Sequence, residues 1–151
     1  MRCLCSAGSL AQYVVDKCYS EGHPVSNLQL QKILYFLQIV YCRAKDGREL
    51  LFSDEFQAWP YGPVLPDVYW EYSEYGGQVI KKRFNGMPPC PPDVMTFLDE
   101  GIDVLSRKSP WDLVRTSHAK GSPWDLVYKD GRGYKQTIPN ELLIAAACEG
   151  N

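Results

Sequence analysis

Residues 26–44 constrain the fold more than any other stretch, because they read as a helix with almost no polar face. Ser26 stands where it can cap the helix, and Gln29 lies three residues on, where a capping box has its second partner. Leu30, Ile33, Leu34, Leu37, Val40, Tyr41 and Ala44 recur at the spacing that stacks side chains on one helical face. Leu28, Tyr35, Phe36 and Ile39 make the other face apolar too. A helix apolar nearly all round has to be enclosed by the rest of its domain. Gln31, Lys32 and Gln38 are the polar exceptions and form a narrow strip. Gly47 stops the helix, with Arg43 and Lys45 near the negative end of its dipole. A lysine in so apolar a helix needs a partner or an exit to solvent. Glu55, Asp67 and Glu71 are the candidate acids; the alternative is that Lys32 presents its charge in a pocket.

The flanking segments supply the enclosure. Leu10, Tyr13, Val14 and Cys18 predict a helix over residues 9–20, ended by Gly22 and Pro24. Residues 55–59 alternate and carry two aromatics, which predicts a short strand. Pro60 and Pro63 then make a tight, stiff turn, since each fixes its own φ and drives the preceding residue out of the helical region. Gly62 is therefore expected in an extended conformation that a Cβ would not allow. Pro66 opens another helix, with Val68, Tyr69, Tyr72 and Tyr75 at helical spacing and Trp70 on a different side. Residues 85–92 hold four prolines and read as an exposed connector. Asp93 caps a helix carrying Met95, Leu98, Ile102 and Leu105 on one face, and Gly101 within it marks close approach to a neighbour. The string SPWDLV occurs at 109–114 and again at 122–127, two copies of one helix-start chemistry: serine cap, proline first, aspartate third. A last helix spans residues 137–148, anchored by Leu142, Leu143 and Ala146. The sum is a mainly α fold, a single compact domain over residues 1–151, with five or six helices around the buried central one and a minor short β hairpin. Residues 1–8 are expected to be loose.

Composition removes several function classes. With 151 residues and 45% hydrophobic content, the chain can bury a real core. A net charge of −2 leaves no general electrostatic footprint for nucleic acid. Lys81, Lys82 and Arg83 read as a solvated loop, with contact to an acidic partner or to phosphates as the sharper alternative. No apolar run approaches a membrane span, and the N-terminus is too short for a signal peptide, so the cytoplasm is the expected location. The six cysteines include no CxxC pair and histidine is scarce, which predicts reduced structural thiols and no zinc site. There is no GxGxxG and no P-loop, and the carboxylates are scattered. His118 beside Ser117 or Ser122 is the one combination offering a histidine base, and neighbours in a chain rarely face each other productively. The expectation is a non-enzymatic protein without cofactor, in which His118 hydrogen-bonds backbone or caps a turn.

The strings LQKILYFLQ, LLF and EFQAWPYGPVLPDVY, over residues 30–69, closely resemble the Panacea domain. That family includes SocA-like antitoxins and phage-associated GepA-like proteins. A second matching element is Thr116 and His118 followed by Pro123-Trp124, with Ser117 standing between the threonine and histidine that the family has adjacent. The resemblance implies an antitoxin that neutralises a toxin encoded beside it through direct protein contact. SocA-like members also act as proteolytic adaptors, which adds a protease or chaperone as a possible partner. The motif residues are Lys32, Tyr35, Trp59, Tyr61, Gly62, Pro63, His118 and Trp124, expected to meet as one pocket or partner-binding surface, with plain core packing as the alternative. Aromatic residues make up 13% of the chain, and Tyr41, Trp70, Tyr72 and Tyr75 are candidate exposed anchors. The alternative function is a phage or mobile-element accessory protein, either a small enzyme using His118 or a nucleic-acid-binding module using Lys81, Lys82 and Arg83.

Overall fold

A computed structural model describes residues 2–149. In chain order its elements are β1 (Arg2–Cys3), α1 (Ala7–Ser20), α2 (Asn27–Ala44), β2 (Glu49–Leu50), β3 (Gln57–Trp59), β4 (Gly62–Val64), α3 (Pro66–Glu71), α4 (Pro92–Ser106), α5 (Pro110–Ser117), α6 (Pro123–Tyr128) and α7 (Asn140–Glu149). Single 3₁₀ turns follow α3, at Ser73–Tyr75, and α6, at Lys129–Gly131. The fold is mainly α with minor β. Seven α-helices occur among the described residues, against five or six expected, and each serine–proline start opens a helix of its own.

α2 is the axis. Ser26 Oγ accepts from the Gln29 amide at 3.2 Å and Gln29 Oε1 accepts from the Ser26 amide at 3.0 Å, closing the capping box. Leu30, Ile33, Leu34, Tyr35, Leu37, Ile39, Tyr41 and Cys42 are all buried, while Val40 looks out. α1, α4, α5 and α7 pack around this helix. The polar strip is buried too, and it stitches the helix to extended chain. Gln38 donates to the Phe52 carbonyl at 2.7 Å and accepts from the Leu51 amide at 2.8 Å. Gln31 donates to Asn27 Oδ1 at 3.0 Å and accepts from the Leu65 amide at 2.8 Å. Segments with no ladder partner thus complete their backbone bonds on glutamine side chains.

Gly101 sits where α4 crosses α2: a Cβ there would stand 2.8 Å from Leu37 Cδ2. The N-terminal stretch departs from expectation. β1 pairs in parallel with β2, the Leu4 and Cys5 amides both donate to the Leu51 carbonyl, and Ser6 caps α1 at Ala7. The chain expected to be loose over residues 1–8 is therefore tied down from residue 2 onward; Met1 lies outside the described residues. α4 starts at Pro92, so Asp93 lies in its first turn and not at its cap. α7 starts at Asn140, later than predicted, because Thr137 bridges to Gln57 and the Ile138 amide donates to the Phe56 carbonyl at 2.7 Å. Leu143 and Ala147 are its buried residues, with Ala146 only half-buried. All six cysteines are free. Among the described residues no helix is long and apolar enough to cross a membrane.

Candidate functional site

The site is built on the β3–β4 hairpin, which pairs Gln57 with Val64, Ala58 with Pro63 and Trp59 with Gly62. Pro60 and Tyr61 make the turn. Gly62 adopts φ +112°, a conformation that disfavours a Cβ as expected, and a Cβ on it would stand 2.7 Å from Ser117 Oγ and 2.8 Å from Lys32 Cε. The hairpin therefore lies directly on α2 and on the end of α5.

Beneath it is Lys32, 0% exposed, whose Nζ donates to the Pro63 carbonyl at 3.0 Å. The acid partners expected for it are not there: Glu55 accepts from the Asn140 amide at the start of α7, and neither Asp67 nor Glu71 pairs with Lys32 among the described residues. Loss of solvent without a counter-charge pushes its ammonium down to about 7. His118 caps the C-terminus of α5. Its ring stacks flat on Trp124, 3.8 Å between centroids and 3° between planes, and Trp124 stacks on Tyr128 at 4.6 Å. Trp124 Nε1 donates to the Trp59 carbonyl at 2.7 Å. The imidazole is pushed below its ordinary range by burial and then by the Lys32 charge, against a bond to the Tyr61 backbone and the Asp125 carboxylate. Its Nε2 is buried with no hydrogen-bond partner.

Two stretches far apart in sequence thus converge: Lys32, Trp59, Tyr61, Gly62, Pro63, His118 and Trp124 share one locality. Tyr35 does not join them. It is a core residue, edge-on to Phe36 at 5.2 Å and to Phe56 at 5.4 Å. Ser117, the extra residue in the second motif, takes the buried place against Gly62 and donates to the Val114 carbonyl at 2.8 Å. Ser122 donates to the Ser117 carbonyl at 3.1 Å. Both hydroxyls are committed to backbone, so neither is offered to His118. Among the described residues no cluster of three or more His, Cys, Asp or Glu side chains could hold a metal ion.

On the outer side of the hairpin runs a groove of about 450 Å³ between α2, the hairpin, the chain after α3 and the start of α5. Leu28, Trp59, Tyr61, Val64, Tyr69 and Trp111 give it its apolar character, and no charged side chain lines it. Its amide groups are already engaged: Asn27 donates to the Tyr69 carbonyl at 3.0 Å and receives Gln31. Tyr61 and Trp111 meet edge-on at 6.0 Å, and Trp59, Tyr69 and Trp70 form a second chain of rings at 5.0 and 5.4 Å. Tyr61 is 59% exposed, Trp111 56% and Trp70 61%. Trp70 was among the expected exposed anchors; Tyr41 and Tyr72 are buried instead and Tyr75 is half-buried. Trp111 went unnoticed as a surface residue because its helix-start motif gives both tryptophans the same local signature, while Trp124 is buried and Trp111 is not.

The basic cluster at 81–83 is partly spoken for. Arg83 Nε pairs with Asp16 Oδ1 at 2.9 Å, and Lys82 lies 5.0 Å over the Phe84 ring.

Comparison with known proteins agrees on one family. Residues 30–125 match the profile described as Antitoxin SocA-like, Panacea domain. Over 132 residues the chain is 35% identical to Antitoxin SocA of Caulobacter vibrioides (strain NA1000 / CB15N), covering 80% of this chain and 69% of that protein. No solved structure matches the chain. The matched span holds α2 from Leu30 onward, the hairpin, the groove aromatics and the His118–Trp124 stack, and by these matches the chain belongs to the SocA-like, Panacea-domain antitoxin family.

Proposed function

We propose that this protein neutralises a cognate toxin, encoded nearby, by direct protein–protein contact, and that the toxin seats on the aromatic groove. The observation that carries the reading is that Tyr61 and Trp111, each more than half exposed, line an uncharged groove, with the exposed Trp70 edge-on to its Tyr69. Large aromatics are costly to leave in water and are the residues that anchor protein interfaces. The motif residues behind the groove, Lys32, Gly62, Pro63, His118 and Trp124, set the position of its hairpin wall and do not touch the toxin. In this role the whole chain acts as one domain in the cytoplasm. The nucleic-acid alternative is disfavoured by the Arg83–Asp16 pair, which takes one cation out of the basic cluster.

The test is co-expression with the product of the adjacent gene, scored by growth rescue and by co-purification. Wild type should rescue and co-purify, and the double variant Tyr61→Ala with Trp111→Ala should do neither while melting within a few degrees of wild type. Rescue by the double variant would move the contact off the groove. Absence of rescue and of complex with the wild type would remove the toxin-binding reading. Toxin abundance in the same cells separates the adaptor role: delivery to a protease lowers it, whereas plain sequestration leaves it unchanged.

A further inference from the structure

We propose that the β3–β4 hairpin is a proton-linked gate on the groove, closed over a neutral Lys32 and opened when that amine takes up a proton. Only the consequence for toxin binding rests on the docking reading above. The gate itself follows from how the hairpin is held. Trp59, Pro60, Tyr61 and Val64 form one wall of the groove. Three contacts hold the hairpin from behind: Trp124 Nε1 donating to the Trp59 carbonyl at 2.7 Å, the His118 ring beside the Tyr61 backbone, and Lys32 Nζ donating to the Pro63 carbonyl at 3.0 Å. The first is neutral at any ordinary pH. The third is made by a fully enclosed amine that finds one carbonyl for its hydrogens. A charge there is poorly compensated, and the way to hydrate it is to lift the hairpin that Gly62 lets lie on it.

The groups facing Lys32 reinforce this. From the end of α5 comes His118, another base, with Nε2 buried and unpartnered. From β4 comes the Pro63 carbonyl. From α6, Asp125 acts on His118, and from α3 neither Asp67 nor Glu71 forms an ion pair with the lysine among the described residues. Each base makes a proton on the other more costly.

The direction follows from linkage. Lys32 titrates at about 7 when enclosed and in the ordinary lysine range when hydrated. Between those values opening takes up a proton, so the opening constant rises about tenfold for each unit of falling pH and levels off below about pH 7. His118, depressed below its ordinary range, adds a further rise below about pH 6.5. A toxin that needs the closed wall would bind with release of a proton.

Amide hydrogen exchange on the free full-length protein tests this, read as protection factors corrected for intrinsic rates. The amides of residues 59, 62 and 64 should lose about tenfold protection between about pH 8.5 and about pH 7.5. Amides of Leu98 and Ile102 on α4 should change little, and Lys32→Met should abolish the hairpin effect. A hairpin as flat as α4 in the wild type overturns the gate, as does a slope that survives in Lys32→Met. If that variant does not fold, the comparison of hairpin with α4 in the wild type decides alone. No toxin takes part, so an intact slope with failed growth rescue would overturn the docking reading and leave the gate standing.

Discussion

Gly62 and Lys32 are a pair of complementary oddities, a residue without a side chain pressed onto a buried amine without a counter-ion. The closest approaches to the missing Cβ are Ser117 Oγ and Lys32 Cε, and the backbone there has positive φ, so an alanine meets both a clash and strain. Gly62→Ala should destabilise the fold by about 2–4 kcal/mol in chemical denaturation. Lys32 gives a signed pH dependence. Its folded value, about 7, lies below that of the unfolded chain, so the unfolded state holds a proton that the folded state lacks. Stability should rise by about 1 kcal/mol per unit from about pH 7 to about pH 9, and Lys32→Met should flatten that rise. Above about pH 9 the opposite sign takes over. The Cys18 and Cys5 thiols, pushed up to about 11 and about 12 by burial, ionise first in the unfolded chain and favour it. That lysine 32 is exceptional was legible from its apolar neighbours. Which partner it finds was not, because the carbonyl that receives it belongs to Pro63, in a hairpin whose seat on α2 no local pattern encodes.

Among the elements, the helices were the most legible. The capping box of α2 and the serine–proline starts of α5 and α6 use contacts within three or four residues, and sequence carries those directly. The helix that sequence placed too early is α7. Residues 137 and 138 have helix-start composition, yet their backbone is drawn into pairing with Phe56 and Gln57. The strip of Gln31 and Gln38 was legible as polar but not as a tie between elements. Gln38→Leu would keep the volume and leave the Leu51 amide and Phe52 carbonyl buried without partners. The expected cost is about 2–4 kcal/mol, measured by thermal or urea unfolding, with the 50–52 amides exchanging faster than those of α4.

For the whole molecule, the long proline-rich connector is held at one end by Asp16 on α1. The carboxylate accepts from the Phe84 amide at 2.9 Å and from Arg83 Nε at 2.9 Å. The Phe84 bond, followed by Arg83, keeps its carboxyl below the usual range despite partial burial. The stability it supplies is present above the ordinary carboxylate range and is lost as pH falls through its depressed folded value. Asp16→Asn should remove that acid-side component and raise exchange at residue 84, seen by titrating the melting temperature of both proteins from about pH 5 downward. The same pair blunts the basic cluster, so charge counted along the chain overstated what the surface offers a polyanion.

The amino-acid order by itself determined that a greasy helix would form at 27–44, where most helices would start, and that a stiff turn would follow Trp59. These depend on spacing, caps and proline geometry, all of them local. Only the tertiary structure decided which tryptophan of the repeated motif is buried, that Tyr35 belongs to the core, and that His118 comes within electrostatic reach of Lys32 behind a hairpin. Those outcomes turn on which surfaces exclude water when segments 65 positions apart pack together, as Trp59 and Trp124 do. Burial is a property of the assembled chain, and no residue carries it alone.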